Sequence, residues 1–405
     1  MKKKLVDYRD FVGESKISEI YRKGTRLSKF HILHVNSTYY GGGVAEILRN
    51  MTLLMNEIGV DVGWRAMIGS PDFFRVTKKF HNALQGDEID LTDMKKKVYE
   101  ETSEEFASFT HVDHDMVIVH DPQPLPLITC YRKRQPWIWR CHIDLSNPNE
   151  EVWDYLKSFA VAYDQYVFQM DEFAAKGFSD EYDIIRPSID PLTTKNTDIE
   201  DPTVEKYLNN AGIDSSRPII SQISRFDKWK DPFGVLEVFK IIKEEMDCQL
   251  VLIGSMATDD PEGQEVYDRL RREINGMDDV IIIADAHDIM VNSVQRASDV
   301  VLQKSLKEGF SLTVSEALWK ETPVVGSEIG GIPTQIIDGK NGYLVNPRDY
   351  KEVAEKTMDI LSSETLQEKM GRKGRERVRE KFLITRHIED WLDLWHNLLT
   401  ECKAF

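Results

Sequence analysis

Two series of short apolar runs, each ending in glycine or polar residues and followed by a helical pattern, constrain this chain more than any other feature. In the first series, Phe30-His31-Ile32-Leu33-His34-Val35 runs into Tyr39-Tyr40-Gly41-Gly42-Gly43. Val44, Ile47, Leu48, Met51, Leu54 and Met55 then recur at helical spacing. Met116-Val117-Ile118-Val119 ends at His120-Asp121, and Trp137-Ile138-Trp139-Arg140-Cys141 ends at His142-Ile143-Asp144. The second series comprises Pro218–Ile223, Gln249–Gly254, Val280–Ile283, Val300–Leu302 and Pro323–Gly326, with helical patterns from Phe233 to Met246 and Gln264 to Ile274 between runs. Buried strands alternating with helices predict α/β units and parallel sheets. Open sheets of this kind place ligands beyond the carboxyl ends of their strands.

At 405 residues the chain exceeds one ordinary domain. A stretch poor in apolar residues, Thr193-Thr194-Lys195-Asn196-Thr197-Asp198, follows Ser188-Ile189-Asp190-Pro191. Two serial α/β domains, 1–190 and 191–385, with a ligand cleft between them and a final helix over 386–405 returning to the first domain, are the expected organisation. The first 30 residues read as a polar helical lead-in.

With 41% hydrophobic and 30% charged residues, the composition is that of a folded chain. No run approaches the roughly 18 apolar residues of a membrane span, and acids follow the basic Met1-Lys2-Lys3-Lys4 where a secretory leader would be apolar. A cytoplasmic protein with reduced Cys130, Cys141, Cys248 and Cys402 is the expectation. A net charge of −17 opposes nucleic acid and anionic membranes as partners, so an anionic ligand needs a local cationic pocket. The basic run from Arg372 to Lys381 carries interspersed glutamates and reads as a solvated helix face.

Arg225 and Lys230, just past a strand end, are candidates for that pocket, because Arg makes forked contacts to phosphate and Lys supplies a point charge. A pair of surface cations is the plain alternative. Glu308-Gly309-Phe310-Ser311-Leu312-Thr313-Val314-Ser315-Glu316 follows another strand and opens a helix. Its first-turn amides favour an anion, Gly309 admits close backbone approach, and Ser311 or Thr313 is suited to capping. The alternative is a capped helix with an incidental loop glutamate. Gly41-Gly42-Gly43 lacks the spacing of a dinucleotide fingerprint, and Gly330-Gly331 reads as a structural turn. The His/Asp pairs at 120–121 and 142–144 suit sugar hydroxyls. His81-Asn82 is read as polar loop, and Asp113-His114-Asp115 as a solvated turn before a strand.

Together these segments resemble the retaining GT-B glycosyltransferases of family 4 across nearly the whole chain. Residues 308–316 fit that family's E-x7-E motif, and Arg225 with Lys230 its phosphate-binding cations. More narrowly, His34-Val35-Asn36-Ser37-Thr38 with Gly41 to Glu46, Phe80 to Gly86, Val119-His120-Asp121-Pro122-Gln123-Pro124 and Trp139 to Ser146 resemble the trehalose-forming branch. The resemblance implies two Rossmann-like domains facing each other across a cleft and transfer of glucose from a nucleoside-diphosphate glucose to glucose. Arg225, Lys230, Glu308 and His142 would carry catalysis. Gly42, Gly43, Gly309, Phe310, Ser311, Leu312, Thr313 and Glu316 would hold the donor, with Glu316 on the ribose. Asp121, Gln123, Asp144, His81 and Asn82 would face the acceptor. No cofactor or divalent metal is implied; small-molecule sugar and nucleotide sugar are the partners, and a homodimer is left open. Trehalose phosphorylase, a catalytically silent sugar-nucleotide sensor, a sucrose- or lipid-directed transferase and a two-carboxylate hydrolase are the competing readings. Two departures stand out: Asp231 adds an acid beside Lys230, and Ser311 occupies a position where relatives commonly have glycine.

Overall fold

The computed structural model describes residues 3–179, 181–255 and 261–401. Met1-Lys2 and Cys402 lie outside the described residues. The chain divides into two compact units, Met1–Pro187 with Ile384–Phe405, and Ser188–Leu383. These crossing points differ by a few residues from the sequence-based boundaries at 190 and 385.

The first unit holds a six-stranded sheet in the order β2-β1-β3-β4-β5-β6: β1 His31–Asn36, β2 Asp61–Ala66, β3 Met116–His120, β4 Trp137–Arg140, β5 Gln165–Phe168 and β6 Asp183–Ile184. The second holds β7 Ile219–Arg225, β8 Gln249–Ser255, β9 Val280–Ala284, β10 Val300–Gln303, β11 Val324–Ser327 and β12 Gly342–Val345, in the order β12-β11-β10-β7-β8-β9. Every pairing within these sheets is parallel. In the second unit alternate residues feed opposite faces. Ile220, Leu250 and Leu252 pack on one side, and Ile219, Val251 and Ile253 on the other. A sheet covered on both faces explains why its strands read as continuous apolar runs.

β2, β5, β6 and β12 escape that signal. β2 and β12 are edge strands; Asp61-Val62-Gly63-Trp64-Arg65-Ala66 is buried only at Val62 and Ala66, whereas interior β3 is buried throughout. Its place is decided by register with β1, His31 to Asp61 through Asn36 to Ala66.

The last helix, Ile384–Glu401, packs on Glu14–Leu27 and Gly42–Glu57 within the first unit. Lys16 and Lys23 pair with Glu389, and Lys23 also with Asp393. The lead-in is therefore amphipathic, with Ile17, Ile20 and Leu27 buried. The basic run needs a similar correction. It lies in the helix Glu364–Lys381, where Gly371, Gly374 and Val378 are buried, Arg375 stacks on Trp319 and Arg377 donates to the Thr334 carbonyl. Only part of it is a solvated face.

Candidate active site

In the second unit the predicted cations lie where neighbouring strands end. β7 closes on Arg225, and Lys228–Lys230 forms one 3-10 turn after it. β10, beside it, leads out toward Glu308. Parallel neighbours end on the same edge, so residues 78 apart meet there: Lys230 Nζ donates to Glu308 Oε2 at 2.6 Å. Gln303 Nε2 at 3.3 Å and Ser305 Oγ at 3.2 Å donate to the same oxygen. The Leu306 amide donates to the Trp229 carbonyl at 2.7 Å and ties the two loops together. Arg225 is the more open cation, its side chain 42% exposed and Asp227 Oδ2 3.7 Å away.

Asp231 is not an unscreened acid beside Lys230. It caps the helix Pro232–Glu245 by accepting from the Gly234 amide at 3.1 Å, while its other oxygen accepts from the buried Lys304 ammonium. Burial lowers the Lys304 pKa from its ordinary value, against the pull of Asp231, and Lys304 also lies 4.4 Å from the Tyr350 ring centre. The charge of Asp231 is thus engaged within the fold.

Ser311 stands at the start of the helix Leu312–Trp319 in left-handed conformation (φ 68°), and its side chain makes no capping bond. Neither does Thr313 sit at the cap, being already inside the helix. The loop is held from outside instead. Gln335 Nε2 donates to the Phe310 and Ser311 carbonyls, and its Oε1 accepts from Ser315 Oγ at 2.6 Å. The Gly331 amide donates to the Gly309 carbonyl at 2.8 Å. A Cβ on Gly330 would stand 1.8 Å from the Glu308 carbonyl oxygen, so this turn needs glycine to let two backbones touch. Helix geometry leaves the first-turn amides of Leu312 and Thr313 without intrahelical acceptors, as an anion site requires.

Glu316 lies in that helix with 2% of its surface exposed. Lys195 Nζ donates to Oε1 at 3.0 Å, and Gln295 Nε2 lies 3.5 Å from Oε2. Burial pushes its carboxyl up, but Lys195 and Lys320 outweigh that and hold it below the ordinary range. Lys195, in the stretch poor in apolar residues, was missed because only the fold brings it to Glu316.

The first unit holds its own cluster at strand ends. Gly41 (φ 78°) and Gly42 (φ 79°) are left-handed, and the helix Gly42–Glu57 begins there, with Gly43 in its first turn. Asp121, directly after β3, is also left-handed (φ 63°), and its Oδ1 accepts from the His142 amide at 2.7 Å. Burial raises the Asp121 carboxyl to about 7, opposed by that amide and by Arg140. His142 is part-exposed, and its ring stacks on His120 with centres 5.4 Å apart. Gln169 Nε2 donates to the His142 carbonyl at 2.7 Å. Among the described residues Gln123 Oε1 is buried without a partner, whereas Asp144 accepts from the Ser146 amide at 2.9 Å in a local turn.

His81 and Asn82 are not in a loop. They form the last turn of the helix Pro71–Leu84, whose apolar face (Phe73, Val76, Phe80, Ala83) continues through them. The Asp113-His114-Asp115 turn is solvated only in part: His114 is 5% exposed and Asp115 Oδ2 accepts from the His31 amide. Sequence reasoning also passed over His34 and the interior place of His120, since an apolar strand hides which face each residue takes.

Residues 34–175 match the family model described as trehalose synthase, N-terminal domain, and residues 203–377 that of glycosyl transferases group 1. The trehalose synthase of Thermococcus litoralis is 46% identical over 97% of this chain and 96% of its own. The trehalose phosphorylase of Pleurotus pulmonarius is 28% identical over 96% of this chain and 60% of its own. Among solved structures, the sucrose-phosphate synthase of Thermosynechococcus elongatus superposes with a TM-score of 0.73 at 16% identity, covering 92% of this chain and 100% of that one. That likeness speaks to the fold.

Proposed function

This chain belongs to the trehalose synthase family of glycosyltransferases, with the two α/β units of a GT-B enzyme, and from that premise we propose that it transfers glucose from a nucleoside-diphosphate glucose to glucose, forming α,α-trehalose with retention. The observation that supports the reading is the contact of Lys230 with Glu308, a cation and a carboxylate brought together at one strand edge. Departure of the nucleoside diphosphate leaves an oxocarbenium-like centre and an anionic leaving group. Lys230 and Arg225 meet that charge as it develops, where preorganised cations lower the barrier most. Glu308 holds donor hydroxyls, Glu316 the ribose, and the first-turn amides of Leu312 and Thr313 the phosphate. His142 contacts the donor sugar, and Asp121 faces the acceptor. In this mechanism the acceptor attacks on the face the leaving group vacates, and the departing phosphate oxygen takes its proton. No metal enters the reaction.

The 28% identity to trehalose phosphorylases favours one second reading, in which phosphate replaces the nucleoside diphosphate. Incubating the protein with trehalose and either phosphate or a nucleoside diphosphate separates the two. Consumption with the diphosphate alone supports the transferase, and consumption only with phosphate sinks it. A donor-by-acceptor screen with the anomeric configuration of the product determined then tests retention and the donor.

A further inference from the structure

Three imidazoles form a chain through the first unit. His34 Nδ1 lies 2.8 Å from His120 Nε2, and His120 Nδ1 lies 3.1 Å from His142 Nε2. His34 and His120 are 0% and 3% exposed; His142, at the open end, retains part of its surface. A neutral imidazole has one N–H, so each link fixes the next, and the whole chain has two directions.

The closed end chooses between them. Among the described residues His34 Nε2 is buried with no partner. Beside it stand Trp391 and Trp395, their ring centres 5.7 and 5.6 Å from that of His34. The Trp391 indole N–H donates to His387 Nε2 at 3.1 Å, but among the described residues the Trp395 indole N–H is also buried with no partner. A proton on His34 Nε2 would set two orphan donors in one apolar neighbourhood. A lone pair there leaves an orphan acceptor in place of a second orphan donor, and orphaned buried N–H groups are the rarer kind.

We propose that His34 and His120 are positioning residues that fix His142 as the Nδ1–H tautomer, so that its open nitrogen presents a hydrogen-bond donor to a sugar hydroxyl. His34 Nδ1–H donates to His120 Nε2, His120 Nδ1–H donates to His142 Nε2, and Nδ1–H of His142 faces outward. Among the described residues nothing occupies His142 Nδ1. Burial holds all three rings below their ordinary pKa, His34 down to about 3, so each keeps a single proton. The consequence for turnover rests on the proposed contact of His142 with the donor sugar; the tautomer itself does not.

The test is long-range proton–nitrogen NMR on the full chain labelled at histidine nitrogen, with His142 assigned by loss of its signals in His142→Gln. A pyrrole-type Nδ1 and pyridine-type Nε2 are expected; the reverse overturns the proposal without any variant. His34→Leu removes the donor, so the two His142 nitrogen shifts should converge. Its kcat should fall roughly 10- to 100-fold, taking the scale from metal-bound histidines that lose the outer partner orienting them. His34→Asn keeps an N–H at the Nδ1 position and should recover most of that rate. Unchanged His142 shifts in His34→Leu, or equal losses in both variants at wild-type circular dichroism, overturn it. The expected tautomer with full turnover in His142→Ala overturns the sugar contact and the effect on rate, whereas a reversed tautomer overturns the relay alone.

Discussion

Replacing Lys230 by alanine removes the fixed cation while leaving Arg225 in place. The side chains of Lys230 and Glu308 are 16% and 7% exposed and their contact is 2.6 Å, so the charge sits in a largely water-excluded site where it acts strongly. Loss of one preorganised group that stabilises transition-state charge lowers kcat by about 100- to 1000-fold, or roughly 2.7–4 kcal/mol. The fold should survive. Glu308 Oε2 keeps the Gln303 and Ser305 donors, so its carboxylate is not orphaned and the stability cost is on the order of 1–3 kcal/mol. The assay is release of nucleoside diphosphate and formation of disaccharide under saturating substrates, with the thermal midpoint measured in parallel. A Lys230→Ala protein that retains kcat within about threefold of wild type, well outside the loss expected for such a group, would refute the charge-stabilising role. So would a rate loss tracking loss of folded protein.

Asp231→Ala should leave the Lys304 ammonium, whose side chain is 0% exposed, without its partner and destabilise by about 3–5 kcal/mol, whereas Asp231→Ala with Lys304→Met should recover much of this in thermal melts. Gly330→Ala should lower kcat at least about tenfold and cost about 1–3 kcal/mol, since its Cβ must displace the Glu308 carbonyl from a 1.8 Å approach; steady-state kinetics with thermal melts check it. Asp121 titrates near 7 when folded against an ordinary 3.8, so the folded state binds the extra proton and wild-type stability declines as pH rises through that window. Asp121→Asn lacks this penalty, so its stability relative to wild type should rise between pH 4 and 7 and level off above, by on the order of a few kcal/mol at most, as denaturation at each pH would measure.

Much of this molecule is legible along the chain because its signals are local. Buried parallel strands such as Met116–His120 and Gln249–Ser255 appear as apolar runs since both faces are covered, and the glycine turn before Gly42–Glu57 appears as three glycines in a row. The motif from Glu308 to Glu316 spans a strand exit and a helix start, so its two acids are tied by short chain geometry, and Lys230 follows Arg225 across a single turn. What only the tertiary structure decided is which distant groups neutralise or orient these. Lys195 reaches Glu316 across 121 residues, Lys304 reaches Asp231 across 73, and His34 reaches His120 across 86. These pairings depend on strand order and register, which a periodic pattern does not encode. An isolated acid or imidazole in a sequence is therefore a candidate group, and its charge and tautomer are set only when the fold supplies its neighbours.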